Sequence, residues 1–405
     1  MSKSVATLLK LLFVVGLMWW VFRGIHFEDR ICLWKGPGAA LVLEQEQVVE
    51  IVGPWKDDPI RYRSAGSESE RSVRRGLQEG GLTLTVEPGF FTYWHNLDGL
   101  LFALGALCYF LTVLIAGARW WWLLRVNGTD VSLRETLRFT WIGVFFNSVV
   151  PGATGGDLIK ALYIMKRCPG HRVQVLVSVI VDRVLGLASL ALLGALVVLL
   201  DIGSFRAVAI GIWSVILGVG LLGVVAFSRR LRQALLGPLL SRLPHGLSHR
   251  LKLVDQAVFF YRDHKSTILA SLLAGIPNHL VSVLSVVLMG KALDIGVPTF
   301  DYFVLIPVIN IVSAIPIGPN GWGVGETLYH NLFGTYCAKY LVGVANAADA
   351  MGTRGVALSV LYRLHLTLWS LLGGLFVFFE KDRVTRADIE TEVALEEKDD
   401  VEGGS

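Results

Sequence analysis

The sequence predicts an all-α membrane protein with about six to eight membrane segments, two of them broken or re-entrant, plus a small β-rich module. The first observation is composition: 53% of the 405 residues are hydrophobic, only 17% are charged, and the mean hydropathy is +0.57. A soluble domain of this size is less apolar. The second is a series of apolar runs long enough to span a bilayer, and the third is that two of them end in clusters of proline and glycine.

The first element is an apolar run from Val5 to Phe22 that contains Trp19 and Trp20. Tryptophans at the membrane interface and the absence of a cleavage pattern indicate that residues 1–22 form an uncleaved transmembrane anchor. The alternative is a signal peptide. Residues 23–96 contain β-branched, partly alternating runs bounded by glycine and proline. They predict a small extracytoplasmic β-rich module, with a short helix near Glu70 to Gln78.

A transmembrane domain is predicted over residues 97–380, because about 20 apolar residues cover the hydrocarbon core. Its uninterrupted spans are predicted at Leu97 to Ala116, Val173 to Leu200, Ala207 to Phe227, Thr267 to Met289 and Gly355 to Phe379. The loops that follow Arg119 and Arg229 are basic, which places them and both termini on the cytoplasmic side of the cell (inner) membrane. Residues 381–405 form an acidic tail that is predicted to be disordered.

Two segments of this domain are interrupted, at Val150-Pro-Gly-Ala-Thr-Gly-Gly-Asp157 and at Ile315-Pro-Ile-Gly-Pro-Asn-Gly-Trp-Gly-Val-Gly-Glu326. A helix does not continue through such a cluster, because proline removes a backbone donor and glycine loosens the turn. In hydrocarbon, open backbone is tolerated only where protein or water satisfies it, so each break predicts a polar cavity. Asn147 and Asn310 precede the breaks, where each could bind loose backbone or line the cavity.

The two breaks resemble each other, since each has an aliphatic residue before proline, then glycines, then one carboxylate. Each is followed by a span that opens with a similar phrase and carries an arginine, Arg183 or Arg363. Three predicted spans separate the breaks, so the two copies would face opposite sides of the membrane. This pattern predicts the inverted repeat of secondary transporters, with the site between the halves.

The two arginines need partners, because a charge near the bilayer centre costs about 3 to 10 kcal/mol unless it is paired or solvated. Asp182 is next to Arg183 in sequence and points about 100° away around the helix, so Asp157 or Glu326 is the better partner. Two interpretations stay open for each arginine: a contact to a lipid phosphate, or a structural ion pair between spans. The predicted cavity residues are Asn147, Pro151, Gly155, Gly156, Asp157, Asp182, Arg183, Asn310, Pro316, Gly321, Gly323, Glu326 and Arg363.

Three other polar features are interpreted as structural. Lys160 is expected at the solvated headgroup level, and Arg119 belongs to an aromatic and basic interface belt. Pro277 is expected to kink its span, and the neighbouring His279 to be a packing residue.

Several classes of function are disfavoured. The four cysteines are isolated, so no zinc site, redox pair or other cofactor is predicted. No basic stripe indicates nucleic acid, and no Gly-x-x-x-x-Gly-Lys-Ser/Thr loop indicates that ATP drives the protein directly. No nucleophile and base occur at a catalytic spacing, so an enzyme such as a membrane transferase is not expected. The oligomeric state is left open.

The motifs Phe146-Asn-Ser-Val-Val-Pro-Gly-Ala-Thr-Gly-Gly-Asp157, Asp182-Arg183 and Pro316 through Glu326 resemble those of the lysylphosphatidylglycerol synthase transmembrane-region family, described as flippase-like membrane proteins. The resemblance covers roughly residues 97–380. At the position before the first arginine, where the family usually has an acidic residue, this sequence has Asp182, which is a conservative departure. It implies that membrane lipids are the ligand and move between leaflets. It also argues against synthase activity, because the synthases carry a large soluble domain.

Two functions follow. The first is a translocase for a phospholipid or lipid-linked precursor, with the breaks forming the headgroup cavity. The alternative is a non-transporting accessory protein of cell-envelope or lipid biosynthesis, whose outside module recruits an envelope protein partner. Deletion of residues 23–96 is expected to leave the first activity intact and to abolish the second.

Overall fold

The computed structural model describes residues 19, 27–35, 42–64, 68–74, 76–77, 82–149, 155–168, 171–227, 264–314, 323–341, 344 and 346–380. Apart from Trp19, the predicted N-terminal anchor lies outside these residues, as does the predicted tail over residues 381–405. The same is true of the centres of both breaks, with Pro151, Pro316 and Gly321.

The N-terminal part of the described chain forms a six-stranded antiparallel sheet in the order β4-β3-β2-β1-β6-β5. The strands are β1 Asp29–Lys35, β2 Val42–Ile51, β3 Ile60–Ser64, β4 Glu70–Val73, β5 Gly76–Leu77 and β6 Leu82–Glu87. Alternate residues face one side because side chains along a strand have a period of two, and they form a small core. That core consists of Ile31, Val49, Ile60, Leu84 and Val86.

The helix predicted near Glu70 to Gln78 is wrong, because β4 and β5 occupy this segment. Glu70 pairs with Arg63 across the β3–β4 ladder, and their side chains form an ion pair with a distance of 3.2 Å. Opposite charges at facing positions stabilise a strand pair. A cross-strand contact of this kind decides the structure of a segment whose local sequence also suits a helix.

The rest of the described chain is helical. Its helices are α1 Phe90–His95, α2 Gly99–Val126, α3 Leu133–Val149, α4 Gly155–Arg167, α5 Arg172–Val198, α6 Arg206–Phe227, α7 Lys265–Ala292, α8 Thr299–Ser313, α9 Val324–Cys337 and α10 Ala347–Phe379. Four of these described helices, α2, α5, α7 and α10, are long and apolar enough to cross a membrane. α6 and α8 contain shorter apolar stretches. The predicted spans are therefore helices, and α2 continues ten residues beyond the predicted end at Ala116.

The chain divides into two compact units. The first unit comprises Met1–Cys108 and Val283–His365, and so contains the sheet, α1, α8 and α9. The second unit comprises Tyr109–Ser282 and Leu366–Ser405, and contains α3, α4, α5 and α6. The boundaries between the units fall within α2, α7 and α10.

In the second unit, α3 and α4 form an antiparallel helical hairpin around the first break. The ring of Phe139 on α3 stacks on the ring of Tyr163 on α4 with centroids 5.1 Å apart. Near the open end of the hairpin, Arg167 and Glu135 form an ion pair at 3.1 Å. These contacts show that α3 and α4 run in opposite directions on the two sides of the first break.

In the first unit, α8 and α9 form the corresponding hairpin around the second break. The rings of Tyr302 on α8 and Phe333 on α9 lie 5.7 Å apart in an edge arrangement. The Cys337 thiol donates to the Asp301 carboxylate over 3.7 Å. Each predicted break therefore lies between two described helices that pack against each other.

Candidate functional site

A cavity of about 310 Å³ lies in the second unit, lined by residues of α2, α3, α4, α5 and α7. Its walls are largely apolar, but five charged side chains converge on it: Arg119, Asp157, Lys160, Asp182 and Arg183. They comprise three cations and two carboxylates. Charged groups enclosed by apolar helices are costly to place, so their arrangement needs explanation.

Asp157 is at the centre of the first group of charges. It lies in the first turn of α4, where the positive end of the helix dipole favours a carboxylate. Its Oδ2 accepts from the Arg183 guanidinium, and its Oδ1 lies 3.1 Å from Lys160 Nζ. The sequence favoured Asp157 or Glu326 over the neighbouring Asp182 as the partner of Arg183, and the structure shows that the partner is Asp157.

Asn147 and two glycines position that helix terminus. The Gly156 backbone N–H donates to Asn147 Oδ1 over 2.9 Å, which satisfies one of the free amides at the start of α4. A Cβ atom on Gly156 would collide with the Gly143 carbonyl oxygen and come within 2.8 Å of Asn147. Gly155 begins α4, and its neighbour Gly156 makes a tight contact with α3.

Lys160 was expected to be solvated, and this expectation is wrong, because the residue is only 7% exposed. Besides its contact with Asp157, its Nζ lies 4.3 Å from the centre of the Trp120 ring on α2. α4 is amphipathic and buries the face that contains Lys160 against α2 and α3. A lysine buried in this way keeps its charge only where a carboxylate and an aromatic face replace water.

Arg119 is a cavity residue that the sequence analysis did not predict. Its Nε donates to Asp182 Oδ1 over 2.9 Å and its Nη2 to the Asp182 carbonyl oxygen over 3.2 Å, and both side chains are buried. The interface belt assigned to it is wrong, because α2 continues for two turns beyond Arg119. The signal was present at Asn127-Gly128, where Gly128 has a positive φ of 76°, as expected just after a helix C-terminus.

The Pro277-Asn-His segment of α7 also lines the cavity. His279 Nε2 donates to the Gly186 carbonyl oxygen over 2.9 Å, which agrees with the packing role predicted for it. Asn278 was not singled out by the sequence analysis. It is 5% exposed, and its Oδ1 has no hydrogen-bond partner among the described residues.

The second group of predicted residues lies in the first unit and forms a closed ion pair. Glu326, in the first turn of α9, accepts from the Gly323 N–H over 2.6 Å, from the Ser359 hydroxyl over 3.2 Å and from the Arg363 guanidinium. Gly323 has a positive φ of 84°, which favours glycine, and Gly325 leaves room for the guanidinium. The Arg363 side chain is 8% exposed, and Glu326 is fully buried.

The structure thus places the described candidate residues in two groups. Asn147, Gly155, Gly156, Asp157, Asp182 and Arg183 belong to the second unit, and Gly323, Glu326 and Arg363 to the first. Asn310 lies in the last turn of α8, and its carbonyl oxygen accepts from the Ala314 N–H over 3.0 Å. In both groups the carboxylate after the break lies in the first turn of a helix and accepts from the arginine of the following span.

These features can be compared with known proteins. The family model described as "Lysylphosphatidylglycerol synthase TM region" matches residues 89–376. The chain belongs to this family. The family match begins just before α1 and ends within α10, so the six-stranded sheet precedes the part of this family member that the model covers.

A second comparison agrees with the first. The UPF0104 membrane protein PH1989 of Pyrococcus horikoshii is 30% identical to this family member over 302 residues, which are 68% of this chain and 85% of that protein. No solved structure matches the chain.

Proposed function

We propose that this family member binds the phosphate-bearing headgroup of a membrane lipid or lipid-linked precursor in the second-unit cavity and moves it between leaflets. The observation that carries the proposal is the cavity itself, in which cations outnumber carboxylates within a bundle of apolar helices. A polar headgroup crosses hydrocarbon only where such a surface replaces its water of hydration.

Arg183 is the proposed phosphate contact. Its side chain is 47% exposed although Asp157 binds it, so part of the guanidinium remains accessible from the cavity. Guanidinium groups bind phosphate oxygens bidentately, and the amide-rich start of α4 adds further positive potential. Lys160 and Arg119 supply the remaining positive charge of the cavity.

Arg363 has a different proposed role. Its guanidinium is enclosed, and its carboxylate partner is held in turn by the Gly323 amide and the Ser359 hydroxyl. The two interpretations left open by the sequence are therefore divided between the two arginines: phosphate binding for Arg183 and structural pairing for Arg363.

Two further features support movement of a lipid. Each unit contains a helical hairpin at the position of a break, as the proposed inverted repeat requires. In addition, one side of α2 exposes Leu100, Leu104, Leu107 and Leu111, a surface that suits contact with acyl chains.

The test is translocation of labelled phospholipid in reconstituted vesicles. Replacing Arg183 by Ala should reduce the rate at least about tenfold, because the charge-assisted contact to phosphate is lost. Arg206→Ala is the matched control, since Arg206 is exposed at the start of α6 and does not line the cavity. A thermal unfolding midpoint near that of wild type establishes that the variant is folded, and an unchanged rate in folded Arg183→Ala would contradict the proposal.

The second candidate function is an accessory protein that acts through its sheet. It is favoured by a groove of about 580 Å³ in the first unit, where Phe27 and Phe91 are exposed beside β2. If this function is correct, the purified protein moves no lipid in vesicles, and replacing both phenylalanines by Ser abolishes the cellular phenotype. If Arg183→Ala abolishes the cellular phenotype and the phenylalanine substitutions do not, the translocase is favoured.

A further inference from the structure

We infer that Asp157 competes with the phosphate ligand for Arg183, and that Lys160 is the positioning residue that allows the two to exchange. In this structure the Arg183 guanidinium binds Asp157. When a phosphate group binds, the guanidinium transfers from the carboxylate to the phosphate, and Lys160 remains as the cation that compensates Asp157. The inference rests on the proposed function, because it describes how the proposed phosphate contact becomes available.

The charged side chains that line the second-unit cavity differ in their exposure. The side chains of Arg119 and Asp182 are 6% and 10% exposed, and those of Lys160 and Asp157 are 8% and 7% exposed. The Arg183 side chain is 47% exposed. Of the described charged residues of the cavity, Arg183 is therefore the most accessible to a ligand.

The same five side chains divide into two buried pairs and one additional cation. Asp182 Oδ1 accepts from Arg119 over 2.9 Å, and Asp157 Oδ1 lies 3.1 Å from Lys160 Nζ. Each carboxylate thus has a buried cation of its own. Arg183 is additional to both pairs, and it contacts the other oxygen of Asp157, Oδ2. If Arg183 leaves, neither described carboxylate of the cavity lacks a cation.

Lys160 is held in place without Arg183. It lies one turn after Asp157 on α4, so the two side chains share a face of that helix. Its Nζ lies 4.3 Å from the centre of the Trp120 ring, which is fully buried and donates to the Ser178 hydroxyl over 3.1 Å. Because neither contact involves Arg183, the pair of Lys160 and Asp157 persists when the guanidinium moves.

The exchange would be costly without Lys160. A carboxylate that loses its cation inside a bundle of apolar helices is left as an uncompensated charge. Asp157 keeps Lys160 and the positive end of the α4 dipole as compensation. The Arg183 guanidinium can therefore leave it for a phosphate, which accepts two parallel hydrogen bonds.

The corresponding pair in the first unit lacks this arrangement. Among the described residues, Arg363 is the cation that contacts Glu326, and both side chains are buried. The residue three positions after Glu326 is Tyr329, whereas the residue three positions after Asp157 is Lys160. Transfer of Arg363 would leave Glu326 uncompensated. This pair is therefore a control for the exchange inferred in the second unit.

The experiment is a double-mutant cycle of Lys160→Met and Asp157→Asn on anion binding. Methionine matches lysine in length without its charge, and asparagine has the shape of aspartate. The rise of the unfolding midpoint of the purified full chain in detergent gives the dissociation constant of each probe. The probes are inorganic phosphate, for a soluble anion, and dihexanoyl phosphatidylglycerol, for a lipid headgroup.

Lys160→Met should weaken binding at least about tenfold, because Asp157 then retains Arg183. Asp157→Asn should strengthen binding, because the competing carboxylate is gone. In the Asp157→Asn background, Lys160→Met should change the dissociation constant by less than about threefold, since no carboxylate is left for the lysine to compensate. The expected result is thus a coupling between the two substitutions.

Three results overturn the inference. Lys160→Met would weaken binding by the same factor in both backgrounds if the lysine acted only through its charge or by touching the anion. Weaker binding in folded Asp157→Asn, or no midpoint shift of the wild type with either probe, contradicts it as well. If Asp157→Asn does not fold, Lys160→Met is compared with the double variant: recovery of binding in the double variant supports the inference, and no recovery overturns it.

The matched control is the double variant Arg363→Met with Glu326→Gln. It should bind both probes as the wild type does, since neither residue lines the cavity. A control that shows the weakening expected of Lys160→Met would overturn the assignment to the second-unit pair.

Transport of labelled phospholipid by the wild type in vesicles separates this inference from the proposed function. Transport together with equal effects of Lys160→Met in both backgrounds overturns the inference and leaves the translocase standing. The expected coupling without transport supports the exchange and contradicts the proposed function. In that case, binding of inorganic phosphate but not of the lipid identifies a soluble anion as the ligand.

Discussion

Arg363 and Glu326 form a buried ion pair, and its contribution to the stability of the protein depends on both partners being present. Taking charges out of water is costly, and their attraction repays that cost only when the geometry and the surrounding hydrogen bonds are good. Here the Glu326 carboxylate also accepts from the Gly323 N–H and the Ser359 hydroxyl. Removing one partner therefore leaves an uncompensated charge in the core of the first unit.

Arg363→Ala is accordingly expected to destabilise the protein by about 3–5 kcal/mol, the usual cost of breaking a buried pair. The double variant Arg363→Met with Glu326→Gln should recover most of this loss, because no charge remains and glutamine can still accept from Gly323. Thermal unfolding in detergent measures both variants. A single variant as stable as the double variant would show that the pair is not a structural one.

The partner of Arg183 could be narrowed from the sequence to Asp157 or Glu326, because adjacent residues on a helix point in different directions and Asp182 was therefore unsuitable. The choice between these two carboxylates depends on the fold. The burial of Lys160 and Arg119 could not. Both depend on which faces of α2, α4 and α5 meet, and hydropathy along the chain contains no such information. Predicting the burial of Arg119 would also have required the length of α2.

The hairpin formed by α3 and α4 shows how one element prepares the site. Gly143 and Gly156 bring the two helices into backbone contact, and Asn147 binds the first turn of α4. Close approach fixes the position of Asp157, and through it the positions of Lys160 and Arg183. The breaks predicted from proline and glycine therefore do more than interrupt a helix, because their glycines also set the distance between the helices that they join.

Gly156→Ala is expected to push α3 and α4 apart, since the new methyl group meets a backbone carbonyl that has no rotamer to change. Overpacking of this kind costs about 1–3 kcal/mol, and translocation should fall because Asp157 moves. The matched control is Gly211→Ala on α6, where an added Cβ atom meets nothing within 4 Å among the described residues. If both variants unfold at the same temperature, the hairpin contact is not tight.

At the level of elements, the spans followed from apolar length alone, because the bilayer fixes that length. The strands β4 and β5 did not follow, since the contact between Arg63 and Glu70 joins residues whose pairing depends on the rest of the sheet. The end of α2 was predicted too early for a related reason: the basic and aromatic residues after Ala116 resemble an interface belt, although Arg119 and Trp120 among them are buried.

At the scale of the whole molecule, the sheet is not an independent appendage of the first unit. Arg354 on α10 donates to the Tyr93 hydroxyl over 3.0 Å and to the Ile295 carbonyl oxygen over 2.7 Å, and its guanidinium lies 4.8 Å from the Trp55 ring. Deletion of residues 23–96 would remove both aromatic partners of this buried cation. That deletion therefore does not distinguish a translocase from an accessory protein, and point substitutions at Phe27 and Phe91 are the better test.

Arg354→Ala should consequently destabilise the protein by about 3 kcal/mol, from the loss of two buried hydrogen bonds to a charged group. Lys56→Ala is the matched control. Lys56 pairs with Asp294 on the surface of the same unit, with both side chains about half exposed, and such pairs contribute about 1 kcal/mol or less. Equal effects of the two substitutions on the unfolding midpoint would contradict the anchoring role of Arg354.

The excess of one cation in the second-unit cavity has an electrical consequence. A phosphodiester carries a single negative charge at neutral pH, so its arrival would make the occupied cavity electroneutral, counting the described side chains. A transmembrane voltage acts on net charge, at about 2.3 kcal/mol per elementary charge for each 100 mV. The step in which the loaded cavity changes its access would then be insensitive to the membrane potential, and the return of the positively charged empty cavity would carry the voltage dependence of the whole cycle.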